Sequence, residues 1–371
     1  MTGINRRQFS QLLTGSLLLP GNRLVFAGGK ASPLFASAAQ DRQGSYHLYL
    51  IDSQGNVQLD HPLPARAHHV EAHLGKPWLA CTARRPGTFI DLVNYKDGQL
   101  IKRISSATGR HFFGHAIFST DGQYLIATEN NISDGLGRIV VRRAEGDFAI
   151  VADMPSYGIG PHELQLIPGS NRLMVANGGI LTHPDSGRKK LNLDTMQPSL
   201  VTIDFTSAQL LDQQYLPDEL HHLSIRHLDC NARGDTVIAL QYQGGVENNP
   251  PLVAVHRAGQ SIKLLAAPEP VNLAMKHYCG SARFDASGRF AAISAPRGDL
   301  VTFWDLQSDS FHSAIKSRDG CGLSATAQAG NFLITTGRGH CTQHNLLTGL
   351  SSRLPQAIST AWDNHMTGIT L

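Results

Sequence analysis

Gly114-His115-Ala116-Ile117-Phe118-Ser119-Thr120-Asp121-Gly122-Gln123-Tyr124-Leu125-Ile126-Ala127 returns in altered form as Gly280-Ser281-Ala282-Arg283-Phe284-Asp285-Ala286-Ser287-Gly288-Arg289-Phe290-Ala291-Ala292-Ile293. Each copy reads as two short strands around an Asp- or Ser-Gly turn. The same phrase starts at His69 (turn at Gly75-Lys76), His162 (Pro168-Gly169-Ser170), His227 (Ala232-Arg233-Gly234) and Ser324 (Ala329-Gly330-Asn331). A seventh copy, cut short, starts at His365. The starts at 69, 115, 162, 227, 281, 324 and 365 lie 41 to 65 residues apart, around the period of roughly 40–50 residues expected of a four-stranded propeller blade.

Outward from each copy the pattern continues with a third alternating strand, such as Arg138-Ile139-Val140-Val141 or Leu300-Val301-Thr302-Phe303-Trp304-Asp305. A fourth follows a Gly-containing turn, as in Leu100-Ile101-Lys102-Arg103-Ile104. Helical periodicity is nearly absent, so the chain reads as all-β. Residues 33–60 hold outer strands without an innermost one, and the segment after Trp362 holds an innermost strand alone. The expected fold is a seven-bladed β-propeller, its ring closed by N-terminal outer strands pairing with a C-terminal inner strand. Such closure removes two open sheet edges.

Ahead of the repeats stands Asn5-Arg6-Arg7-Gln8-Phe9-Ser10-Gln11-Leu12-Leu13, then an apolar stretch through Leu19 and a small-residue exit at Val25-Phe26-Ala27-Gly28. This is the pattern of a twin-arginine export signal over residues 1–27, which predicts a periplasmic protein with one propeller domain over residues 28–371. Cleavage at the other Ala-x-Ala site, Ala36-Ser37-Ala38, would cut a strand expected from Leu34 to Ala39. No later stretch approaches the roughly 20 apolar residues of a membrane span.

The formal charge of +3 belongs to the signal, which carries Arg6, Arg7 and Arg23 and no acid; the rest balances 29 basic against 29 acidic residues. No basic stripe remains for nucleic acid. The 5 cysteines include no CxxC pair, which argues against a zinc knuckle and leaves room for at most two disulfides. CxxCH, Gly-x-Ser-x-Gly and HExxH are all missing from the chain, which argues against covalent haem and the hydrolases built on those motifs.

Five of the seven blade starts carry a histidine: His69, His115, His162, His227 and His365. Innermost strands line the channel of a propeller, so these imidazoles are expected in a ring at one mouth. Neutral imidazole is a ligand for Fe, Cu or Zn. Metal–nitrogen bonds are about 2.0–2.1 Å long, so three or four rings are expected to meet one ion, with water completing its shell. The alternative at the same residues is hydrogen bonding between neighbouring blades. Glu129, Asn130, Glu163, Arg226 and, from the insert over residues 177–194, His183, Asp185 and Arg188 are expected at the same face as a candidate pocket. His68 and His73 flank His69 there.

Arg84-Arg85-Pro86-Gly87-Thr88-Phe89, Ala127-Thr128-Glu129-Asn130, Gly158-Ile159-Gly160-Pro161-His162-Glu163, Asn177-Gly178-Gly179-Ile180, Thr182-His183-Pro184-Asp185, Lys190-Leu191-Asn192-Leu193 and Leu223-Ser224-Ile225-Arg226-His227-Leu228 together resemble the DUF1513 family of exported bacterial proteins. The resemblance implies a WD40/YVTN-like propeller, twin-arginine export and a setting beside imelysin-like and di-haem oxidoreductase-like proteins. It thereby implies periplasmic iron, or copper, handling. Leu181 departs from it, since an acid is expected there.

The expected function is that of a periplasmic propeller in iron or other transition-metal acquisition, binding a metal or a metal-bearing partner at the channel mouth. No catalytic residue is assigned. One rival is a metal-dependent lactonase-like hydrolase using Glu163 or Glu129 beside the imidazoles. The other is a metal-free docking platform for imelysin-like proteins.

Overall fold

The computed structural model describes residues 33–355 and 358–369; the expected export signal lies outside them. The described residues form seven antiparallel sheets arranged as a seven-bladed β-propeller. The innermost strands of blades 1 to 6 are Ala67–Ala72, Arg110–Phe118, Pro161–Leu166, Leu223–Cys230, Ser281–Phe284 and Gly320–Ala325. Each is followed outward by three more strands in chain order.

Blade 7 is made by both ends of the chain. Thr360–Trp362 and Thr367–Ile369 pair with Leu34–Asp41, which continues outward to Tyr46–Asp52 and Val57–Leu63. Ala39 lies opposite Trp362 and Leu34 opposite Ile369. The Ser37 hydroxyl donates to the His365 carbonyl at 2.6 Å. The closure expected from the unmatched terminal strands is therefore the closure observed.

Burial follows from the sandwich of each sheet between two others. Phe89–Asn94 and Leu300–Asp305 contain no exposed residue, whereas the outermost strand Ser310–Lys316 alternates between exposed and half-buried. Strands covered on both faces read as continuous apolar runs and one-sided strands alternate, as the sequence does here.

The repeated turns need glycine. Gly122, Gly234, Gly288 and Gly330 have φ of +71°, +83°, +65° and +70°, which only glycine adopts without steric cost. The turns also tie blade to blade. Asp285 accepts from the Phe290 amide of its own blade at 3.0 Å and from the Gly330 amide of the next at 2.7 Å. His73 accepts from the Gly75 and Lys76 amides through Nδ1, which leaves Nε2–H to donate to the Gly122 carbonyl at 3.0 Å.

Two segments depart from the blade pattern. The insert expected over residues 177–194 follows the strand Arg172–Asn177 and is loop with two short turns of 3-10 helix, Pro184–Ser186 and Leu193–Thr195. A six-residue helix, Glu269–Ala274, precedes blade 5. Cys81, Cys230, Cys279, Cys321 and Cys341 are all free thiols. No helix among the described residues is long and apolar enough to cross a membrane.

Candidate metal centre

In a regular inner strand successive side chains would turn alternately toward the two neighbouring blades. Here the pairing slips between Ala67 and His69, Phe112 and Ala116, Pro161 and Leu164, and Ile225 and His227. The closing inner strand is broken between Trp362 and Thr367. A bulge re-aims a side chain, and each of these irregularities contains one of the five repeat histidines. Of the two blades without a repeat histidine, blade 5 pairs without a slip, whereas blade 6 slips between Gly320 and Leu323. In blade 2 the slip passes through Gly114 at φ +112°.

The re-aimed rings meet on the axis. Ring centres lie 4.6 Å apart for His115 and His365, 4.9 Å for His115 and His162, 4.5 Å for His162 and His227, 4.9 Å for His227 and His365, and 4.9 Å for His69 and His115. A sixth ring, His68, stands among them, 4.7 Å from His365, 5.1 Å from His115 and 5.5 Å from His162. All six are buried. Donor atoms of His115, Glu163, His227 and His365 lie within 4.8 Å of one another, as do those of His68, His115 and His162.

These rings are short of partners. Both nitrogens of His115 and of His365, Nε2 of His68 and Nδ1 of His162 are buried without a hydrogen bond among the described residues. A buried polar atom left unsatisfied costs roughly 1–3 kcal/mol, and native interiors contain few of them. Burial first, then the neighbouring rings or Arg226, holds His115, His162, His227 and His365 well below the ordinary imidazole range. Burial also pushes His68 down to about 4 and His69 to about 3. The cluster is therefore neutral at physiological pH, with lone pairs free to bind a metal.

Outer partners orient the rings. His68 donates through Nδ1 to the Asp363 carboxylate at 3.0 Å, which leaves Nε2 to face the cluster. Against its burial, Asp363 is held well below the usual carboxylate range by that hydrogen bond and by Arg66, 2.6 Å away. His69 Nδ1 donates to the Ala116 carbonyl at 3.1 Å, and His227 Nδ1 lies 3.0 Å from Glu163 Oε2. Metal-ligating histidines ordinarily carry such second partners. The donor set of imidazoles with one carboxylate suits Fe, Cu or Zn.

Farther along the inner strands lies a charged layer. Arg283 Nη1 is 3.4 Å from Asp229 Oδ1, and Asp229 Oδ2 accepts from the Phe284 amide at 2.7 Å. Burial, opposed by Arg283, pushes Glu71 up to about 8 and Glu163 up to about 7.

At the mouth where the inner strands begin, a cavity of about 280 Å³ reaches the rings of His68, His162 and His227. Its wall holds Arg84 and Arg85 from blade 1, Arg188 from the insert and Arg226 from blade 4, with Phe113 and Tyr278 between them. Arg85 donates to the Thr182 hydroxyl at 2.6 Å.

The expected pocket residues divide. His183, Arg188 and Arg226 line the cavity, and Glu163 joins the imidazoles. Glu129 is buried elsewhere, its carboxylate taken by Arg142 at 2.5 Å because both lie deep in blade 2. Asn130 is buried beside it and donates to the Asn131 carbonyl at 3.2 Å. The Asp185 side chain stands 91% exposed outside the cavity, its carboxylate 3.6 Å from His183 Nδ1, which also accepts from the Asp185 amide at 3.3 Å. Sequence reasoning did not single out His68 as a ligand, Asp363 as its partner, or Arg84 and Arg85 as pocket residues. The only signals were the His68-His69 pair and the Arg84-Arg85-Pro86-Gly87 phrase.

A family model described as "Protein of unknown function (DUF1513)" matches residues 61–369. Among solved structures, a hydrazine synthase of Kuenenia stuttgartiensis is 13% identical with a TM-score of 0.58, covering 92% of this chain and 100% of that one. A provisionally named 6-phosphogluconolactonase of Bacteroides fragilis is 12% identical with a TM-score of 0.64, covering 93% and 99%. At such identities the likeness carries the propeller fold alone. No curated protein matches the chain in sequence.

Proposed function

This chain belongs to the DUF1513 family, and from that premise we propose that it is a periplasmic metal-binding propeller, holding a transition-metal ion with its axial imidazoles and serving iron or other transition-metal acquisition. One observation carries the reading. The buried ring nitrogens of His68, His115, His162 and His365 that lack a hydrogen bond are gathered on one axis. Scattered structural histidines would each have found a neighbour.

His115 belongs to both donor groups and is the anchor of the centre. Glu163, His227 and His365 complete one group, His68 and His162 the other. Bound there, the ion supplies Lewis acidity or electron exchange to whatever reaches it through the mouth. On this reading the partners are periplasmic proteins of the imelysin-like or di-haem oxidoreductase-like kind, which would receive or deliver the metal.

The test is metal analysis of protein purified from the periplasm, beside the His115→Ala/His162→Ala double variant. The reading expects near-stoichiometric transition metal in the wild type and its loss in a folded double variant. Retained metal in that variant removes the site. A wild type that stays metal-free after incubation with Fe, Cu and Zn points to a docking platform instead.

The cavity over His68, His162 and His227 favours a second reading, a metal-dependent lactonase-like hydrolase. It predicts lactone hydrolysis that a chelator abolishes.

A further inference from the structure

The mouth of the channel is rich in arginine, offset in part by Asp363 acting on Arg84. Among the described residues Arg84, Arg85, Arg188 and Arg226 line the cavity over the imidazoles, and no Asp or Glu does. The neighbouring cavity, of about 440 Å³, adds Lys190, Lys276 and Arg297 and again no acid. Among the described residues none of the four arginines forms an ion pair, although Arg66, Arg103, Arg110, Arg138 and Arg142 of nearby blades all do. Arg226 is half-buried, and its Nε is buried without a partner.

Grouping guanidiniums this way works against folding, because like charges repel and burial strips their water. Burial, then the neighbouring Arg84 and Arg188, pushes Arg85 down to about 10. Sites of this kind are relieved by an anion, and the planar guanidinium matches a carboxylate with two parallel hydrogen bonds.

We infer that this mouth binds a small organic polycarboxylate, seated on Arg84, Arg85 and Arg226, closed over by Arg188 and resting against His68, His162 and His227. The arginines approach from three separate blades, so one compact oxyanion would leave some unpaired, whereas several carboxylates on one small molecule would pair with them together. The 280 Å³ volume fits a molecule of metabolite size. Phe113, Pro86 and Pro184 supply an apolar wall for its carbon skeleton. Binding needs the arginines and not the metal, so this inference stands or falls apart from the metal centre.

The test is calorimetric titration of the mature protein, after chelator treatment and dialysis, with citrate, acetate and inorganic phosphate at low ionic strength. Citrate is expected to bind at least tenfold more tightly than either comparator. Arg226→Gln and Arg85→Gln should each weaken citrate about tenfold. Arg188→Gln, at an exposed position on the insert, should weaken it by a smaller factor. Metal content of the His115→Ala/His162→Ala variant has no bearing on these results. Citrate binding no tighter than acetate, phosphate binding tighter than citrate, or unchanged affinity in both Arg226→Gln and Arg188→Gln would overturn the proposal.

Discussion

His68 and Asp363 are joined by a 3.0 Å hydrogen bond between Nδ1 and Oδ1, although one begins blade 1 and the other sits at the break in the closing strand. The same contact orients a ring in the axial cluster and staples the last blade to the first. Arg66, on the other oxygen of Asp363, keeps that carboxylate charged.

Asp363→Asn should therefore separate metal affinity from fold. Losing an outer carboxylate typically costs roughly 10–100-fold in metal affinity, so competition titration against a chelator should show a drop of that size. Circular dichroism should still report the propeller. Unchanged affinity would mean that His68 is not a ligand.

Gly114→Ala is expected to disturb the same centre through the backbone. Its φ is +112°, and an added Cβ would come within 2.8 Å of the His68 ring. Strain in so unfavourable a backbone region costs roughly 1–3 kcal/mol. Both the thermal midpoint and the metal affinity should fall, whereas Gly109→Ala, with nothing within 4 Å of its Cβ, should lower the midpoint alone.

The Glu129–Arg142 pair should matter for stability only. Both side chains are buried, at 0% and 2% exposure. Removing one partner of a buried pair typically costs about 3–5 kcal/mol, because the other charge is left without water or counterion. Glu129→Ala should show that loss in urea melts, with metal and citrate binding unchanged in the folded protein.

Acid should weaken the contact between blades 4 and 5. Asp309 accepts from Arg257 at 2.6 Å and from Lys263 at 2.8 Å, and these hold its carboxyl below its ordinary value of 3.8. A depressed carboxyl contributes stability above its unfolded value, lost as pH falls through its folded value. At neutral pH Asp309→Asn should cost on the order of 1 kcal/mol or less, since solvent screens such pairs. The difference from wild type should vanish in melts run well below pH 3.8; a constant difference would assign the effect to packing.

The propeller was legible because its cause is local and repeated. Each Asp- or Ser-Gly turn demands a positive φ, each covered strand demands an apolar run, and seven spaced copies leave one closed arrangement. The ring of histidines was legible for the same reason, since equal positions in equal blades face a common axis. The roles of single residues were less so. Strict alternation would send His68 away from His69, and only the slip in pairing after Ala67 brings both to the axis. Glu129 shares a phrase with the pocket residues, yet its partner Arg142 comes from the next strand of its own blade, a pairing no spacing announces.

The sequence by itself determined the propeller, a count of seven blades in preference to six or eight, the strand order and that imidazoles would gather around one mouth, because these depend on period and on turn chemistry. Only the tertiary structure decided that six rings, rather than five, converge, that four of them keep buried nitrogens without hydrogen-bond partners, and that four arginines line a cavity over them to which no acid contributes. Those relations depend on bulges and inter-blade distances of a few ångströms, set by how whole sheets pack and not by any stretch of chain alone.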